Sequence, residues 1–105
     1  MITLSDLETR VLDAIRRVAV ANSYKEVDPD KLELIKRVYT GFENATDEPV
    51  ELKLYPEFDT LGLSVNLPEV ELRNLISILL ECTSFEVIPR TDGKLRVSVG
   101  VSHIY

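Results

Sequence analysis

A chain of 105 residues with 45% apolar and 29% charged side chains is long enough for one hydrophobic core and too apolar for a disordered segment. Its net charge of −6 sets phosphate repulsion against nucleic-acid binding. The single cysteine excludes an intrachain disulfide and a cysteine-based zinc site. No apolar run approaches a membrane span, and MITLSDLETR shows no basic region leading into an apolar one. The expectation is a cytoplasmic protein with no membrane contact.

The periodicity predicts a first helix over residues 6–22. Ser5 with Glu8 fits a capping box, and Leu4, Leu7, Val11, Ile15 and Val18 form an apolar stripe. A second helix is announced by Asp28-Pro29-Asp30. Asp28 suits the N-cap, Pro29 the first helical position, and Asp30 the positive end of the helix dipole. Leu32, Ile35, Val38, Tyr39 and Phe42 share its apolar face, and Gly41 is expected to stop it. Residues 23–27 are short enough to make the two helices an antiparallel hairpin over 1–42.

Residues 43–49 read as an acidic linker. The period then drops from 3.6 to 2. Val50, Leu52 and Leu54 alternate with polar residues in a first strand, and Leu61, Leu63, Val65 and Leu67 do so in a second. A third helix over residues 68–82 carries Leu72, Leu75, Ile76 and Leu79 on one side, widened by Ile78, Leu80 and Cys82. It is expected to be the central helix of the core. Phe85 and Val87 start a third strand, Asp92-Gly93 marks a tight turn, and Leu95, Val97, Val99 and Val101 alternate in a fourth.

The predicted order is ααββαββ. The fold class is α+β: one domain over 1–105, with a helical hairpin (1–42) followed by a ββαββ unit (50–105). Alternation in the strands argues for a four-stranded, mainly antiparallel sheet, packed on helices on one side and wet on the other.

No stretch carries a catalytic or cofactor motif in its required context, so no catalytic, cofactor or metal residue is assigned. Pro29-Asp30 with Glu51-Leu52-Lys53 matches the short nuclease pattern PD-(D/E)xK. That chemistry needs both acids at neighbouring strand ends to share a metal, and Asp30 falls in a predicted helix turn. A helix followed by a hairpin bearing Arg90, Lys94 and Arg96 has the outline of a winged helix. The helix ahead of it shows Glu69, Glu71 and Glu81 against one Arg73, which is the wrong face for a groove. Cys82 reads as a small core residue and His103 stands alone.

Charge is concentrated in the middle. Residues 26–59 hold ten acids and four bases, so the flanking segments nearly balance. Glu48, Glu51, Glu57 and Asp59 are therefore candidate contacts for a partner with a basic surface. The outward positions of the second and fourth strands are small or polar, and Ser64, Asn66 and Ser98 are candidate contacts on a flat sheet face. Ile104 and Tyr105 are expected to join such a contact.

These features point first to a small, acidic, non-enzymatic protein that regulates or inhibits a protein partner. Its sharpest form is an acidic inhibitor seated in a nucleic-acid-binding cleft, as anti-restriction and anti-CRISPR proteins of phages are; that analogy is one of composition. Self-association through the sheet face is a further expectation. The alternatives are a winged-helix-like nucleic-acid-binding regulator and a small enzyme with a site shared between subunits.

Overall fold

The computed structural model describes residue 9 and residues 28–104. Apart from residue 9, the first predicted helix, and with it the helical hairpin expected over 1–42, lies outside them, as does Tyr105. Within them the chain forms α1 (Pro29–Ala45), β1 (Glu51–Tyr55), a single 3-10 turn (Pro56–Phe58), β2 (Thr60–Pro68), α2 (Glu69–Leu79), β3 (Ser84–Pro89) and β4 (Lys94–Val101). The fold is α+β, with a four-stranded antiparallel sheet in the order β1-β2-β4-β3. The β3–β4 hairpin folds back so that β4 sits between β2 and β3, and α2 carries the chain across.

α1 begins as the sequence dictates. The Asp28 carboxylate accepts from the backbone N–H of Asp30 at 2.8 Å and of Lys31 at 3.3 Å, and Pro29 opens the first turn. Its buried face is Leu34, Ile35, Val38, Tyr39 and Phe42, the spacing of one stripe on a 3.6-residue period. The expected stop at Gly41 is not made. The helix runs on to Ala45 and takes the start of the predicted linker with it. Gly41 serves packing instead: a Cβ there would lie 2.8 Å from Leu75 Cδ2 on α2. Absence of a side chain lets the two helices approach.

The central position expected for the 68–82 helix belongs to α1. α2 fully buries only Leu79, while Leu72, Leu75 and Ile78 pack on the core partly exposed and Leu80 is 66% exposed. α2 also ends earlier than expected, at Leu79. The N–H groups of Glu81 and Cys82 donate to the carbonyls of Ile78 and Leu79, three-residue spans that tighten and close the last turn. It does touch both a helix and the sheet, packing on α1, β2 and β4.

The strands alternate as predicted. Leu61, Leu63, Val65 and Leu67 of β2 and Val97, Val99 and Val101 of β4 are buried beneath the helices. The β3–β4 turn closes with Arg90 N–H on the Lys94 carbonyl at 2.9 Å and Gly93 at φ +85°, the left-handed residue this turn requires. Ile104 is fully buried in the core rather than held in a surface contact. Its N–H donates to the Asp59 carbonyl at 3.2 Å, and its carbonyl accepts from Asp28 N–H at 2.7 Å. One residue thereby joins the β1–β2 turn to the start of α1. Among the described residues no helix is long and apolar enough to cross a membrane.

Candidate interaction surface

The strand period that buries the odd-numbered residues of β2 and β4 turns their even-numbered neighbours to the other face of the sheet. Both described helices pack on the apolar face. On the open face the register lines up short cross-strand rows. Gly62 pairs with Gly100, Ser64 with Ser98, and Asn66 with Arg96. β1 adds Lys53 beside Gly62 and Glu51 beside Ser64; β3 adds Ser84 beside Gly100 and Glu86 beside Ser98.

The central rows are low because their residues are small. They form a trough of about 460 Å³ whose lining includes Tyr55, Gly62, Ser64, Glu86, Ser98 and Gly100. The Tyr55 ring leans over Gly62, where a Cβ would stand 3.1 Å from Cε2. Lys53 Nζ sits 5.1 Å from the centre of that ring, a cation held against its electron-rich face. Along the floor, Ser64 Oγ donates to Ser98 Oγ at 3.0 Å, and the hydroxyl of Thr60, which also lines the trough, lies 2.9 Å from that of Ser102 outside it. Glu86 closes the β3 side, exposed and with no ion pair among the described residues.

The candidate residues fall into three groups. Ser64, Asn66, Ser98 and Glu51 come together on the open face. The guanidinium of Arg96 binds two of them, donating to Glu51 Oε2 at 2.6 Å and to Asn66 Oδ1 at 3.5 Å. Glu48 lies at one end of the sheet, where it takes the Lys94 ammonium at 2.9 Å. That hydrogen bond holds the Glu48 carboxyl below the usual carboxylate range and raises Lys94. Glu57 and Asp59 lie beyond the opposite end of β1, in the turn to β2. The acids are thus not one patch. Two of them are neutralised by basic residues of the hairpin, and the third hairpin base, Arg90, pairs with Asp92 at 3.3 Å.

Asp30 of the nuclease-like pattern is on α1, against the apolar face, while Glu51 and Lys53 are on the open face. The sheet stands between them. Cys82 is half-buried, and burial first and the Glu81 charge second push its thiol up, away from a reactive thiolate. Among the described residues no group of three or more His, Cys, Asp or Glu side chains could hold a metal ion.

Tyr55, Glu86 and Ser84 were missed as trough residues. Strand parity alone places Tyr55 on the face of Glu51 and Lys53. Glu86 and Ser84 need the β3–β4 register, which the turn at Gly93 fixes. No family model matches this chain, and neither a search of curated proteins nor one of solved structures finds a match.

Proposed function

We propose that this chain is a small protein-binding regulator or inhibitor that works without catalysis, through the open face of its sheet. The observation that supports the reading is the trough over Gly62, Ser64, Ser98 and Gly100. Its chemistry favours a basic side chain of a partner protein. Glu86 offers an unpaired carboxylate among the described residues, and the serine hydroxyls offer acceptors. Glu57, exposed in the turn beyond Tyr55, extends the acidic character at that end. The acidic-inhibitor form of the reading rests on Glu57, Asp59 and Glu86 more than on Glu48 and Glu51, whose charge is met within the chain.

The test takes a partner recovered by affinity capture, purified, and titrated by calorimetry against three versions of the chain. Ser98→Arg fills the trough with bulk and like charge and is expected to weaken binding at least about tenfold, the effect of losing a central contact. Phe58→Ala, at a side chain 68% exposed in the neighbouring turn, is expected to leave it unchanged. Equal affinity of Ser98→Arg and the parent would overturn the trough as the contact surface.

A further inference from the structure

The two edges of the sheet are finished differently. β1 is five residues long, lies between Pro49 and the Pro56 turn, and carries Lys53 at its centre. Short length, prolines and a central lysine are the usual ways an edge is made unattractive to another strand. β3 is six residues long, and all of it except Val87 is exposed, including Phe85 at 40% and Ile88 at 48%. Its outer backbone groups can be assigned. Arg90 N–H donates inward to Lys94. The alternation of an antiparallel ladder then turns the N–H and C=O of Phe85 and Val87 away from β4, with the Pro89 carbonyl. Pro89 lacks an N–H on the side where no strand of the described residues lies.

We infer that β3 is a self-pairing edge, and that two copies of this chain join through antiparallel β3–β3 pairing about a two-fold axis at Val87. In this register Val87 lies opposite Val87 of the second copy and exchanges two hydrogen bonds with it. Phe85 lies opposite Pro89, so each Phe85 N–H finds a Pro89 carbonyl and the missing proline N–H falls at the end of the ladder. On the open face Glu86 lies opposite Ile88, with Arg90 on one diagonal and Glu86 of the second copy on the other, both within reach for long side chains. The two-fold makes the opposite-charge pair twice. A shift that centres the axis on Glu86 would set two carboxylates directly opposite each other, and one that centres it on Ile88 would put the missing Pro89 N–H at both central bonds, so charge and proline together leave the Val87 register. Arg90 is free to change partner, since its pair with Asp92 is at 3.3 Å and nearly half exposed. The result is a continuous eight-stranded sheet, with the two troughs side by side across the axis and both Glu86 side chains at the seam.

Sedimentation equilibrium on the full chain tests this, over about 1 μM to 1 mM. The parent is expected to dimerise. Glu86→Arg and Arg90→Glu each set like charges at both diagonal pairs and are expected to weaken the dimer about tenfold. The double variant exchanges the charges and is expected to recover most of the loss. Both residues are exposed, and circular dichroism checks that each variant keeps its fold. A parent that stays monomeric throughout overturns the proposal, and so does a dimer indifferent to the single substitutions. Sedimentation is read on the chain alone and the trough on the titration of a partner, so failure of the trough and failure of the dimer are distinguishable.

Discussion

Lys94 Nζ lies 2.9 Å from Glu48 Oε2, so the first residue of β4 is bound to the segment entering β1 at the far edge of the sheet. Each partner is about one-third exposed, which limits what the pair contributes. Its sign with pH is nevertheless fixed. The Glu48 value is lowered in the fold, chiefly by the hydrogen bond from Lys94, so its stabilisation is present above the ordinary carboxylate value and lost as pH falls through the lowered one. Lys94 is raised, so its share is present below the ordinary lysine value and lost as pH rises through the raised one. Glu48→Gln is expected to lower Tm at neutral pH by no more than about 4 °C. The difference from the parent should shrink in acid, as pH falls through the lowered Glu48 value. A gap that persists undiminished at pH 3 in thermal melts would show that the side chain acts through packing instead of charge.

Phe42 and Phe58 are the same residue in opposite situations, one fully buried under the sheet and one 68% exposed in the β1–β2 turn. Removing a buried phenylalanine ring costs about 3–5 kcal/mol. That is comparable with the whole stability of many small domains, about 5–15 kcal/mol. Urea unfolding of Phe42→Ala is expected to show a loss of this size or an unfolded chain. Phe58→Ala is expected to stay within about 0.5 kcal/mol of the parent, the range of surface changes. Similar losses from both would mean that the turn is packed in solution.

Much of this fold was legible because its signals are local. Asp28 and Pro29 announce a helix start through capping chemistry within three residues, and Asp92-Gly93 announces its turn through a single left-handed backbone. Parity within each strand told the buried face from the open one. What was not legible depends on distant contacts. Gly41 has the composition of a helix stop, and only Leu75, thirty-four positions away, shows it to be a helix crossing. Leu80 has the composition of a core residue, and only the early end of α2 leaves it out. The acidic segment looked like one surface because sequence neighbours were counted together. β1 then carried Glu48 and Glu51 to one end of the sheet and Glu57 and Asp59 to the other, and folding supplied bases from the hairpin to the first two. The same strand order brought Ser64 and Ser98 into a row that neither strand shows alone.

The Gly41–Leu75 approach makes opposite demands on a side chain at position 41. Alanine in place of glycine favours a helix interior by about 1 kcal/mol. Against this, its Cβ would stand 2.8 Å from Leu75 Cδ2. That atom is the far end of a partly exposed side chain, which can rotate away. Gly41→Ala is therefore expected to be neutral within about 1 kcal/mol. Gly41→Leu needs the helices to separate and is expected to cost about 2 kcal/mol in chemical denaturation. Truncation at Leu75 should recover part of that cost in the double variant. A Gly41→Leu variant as stable as the parent would show that α1 and α2 are not held at this distance.

Ile104 couples two kinds of interaction that are usually separate. Its side chain fills the core, while its two backbone groups bridge the Asp59 carbonyl and the Asp28 N–H. His103, just before it, is in the left-handed region at φ 56°, as is Asp59 at φ 47°. Such geometry in non-glycine residues costs of order 1 kcal/mol or more and persists only where surrounding contacts impose it. Burial of Ile104 is the contact that imposes it here. Ile104→Ala is expected to cost about 2–5 kcal/mol, as truncation of a buried isoleucine does. Because the anchor would loosen with the side chain, Asp28 N–H should also lose protection in native-state hydrogen exchange, more than amides in the middle of β2 do. His103→Gly separates the two effects, since glycine takes the left-handed backbone without strain and leaves the burial of Ile104 intact. It is expected to hold or raise stability and to keep the Asp28 amide protected. Loss of that protection in His103→Gly, with Ile104 still present, would show that the backbone turn and not the buried side chain carries the anchor.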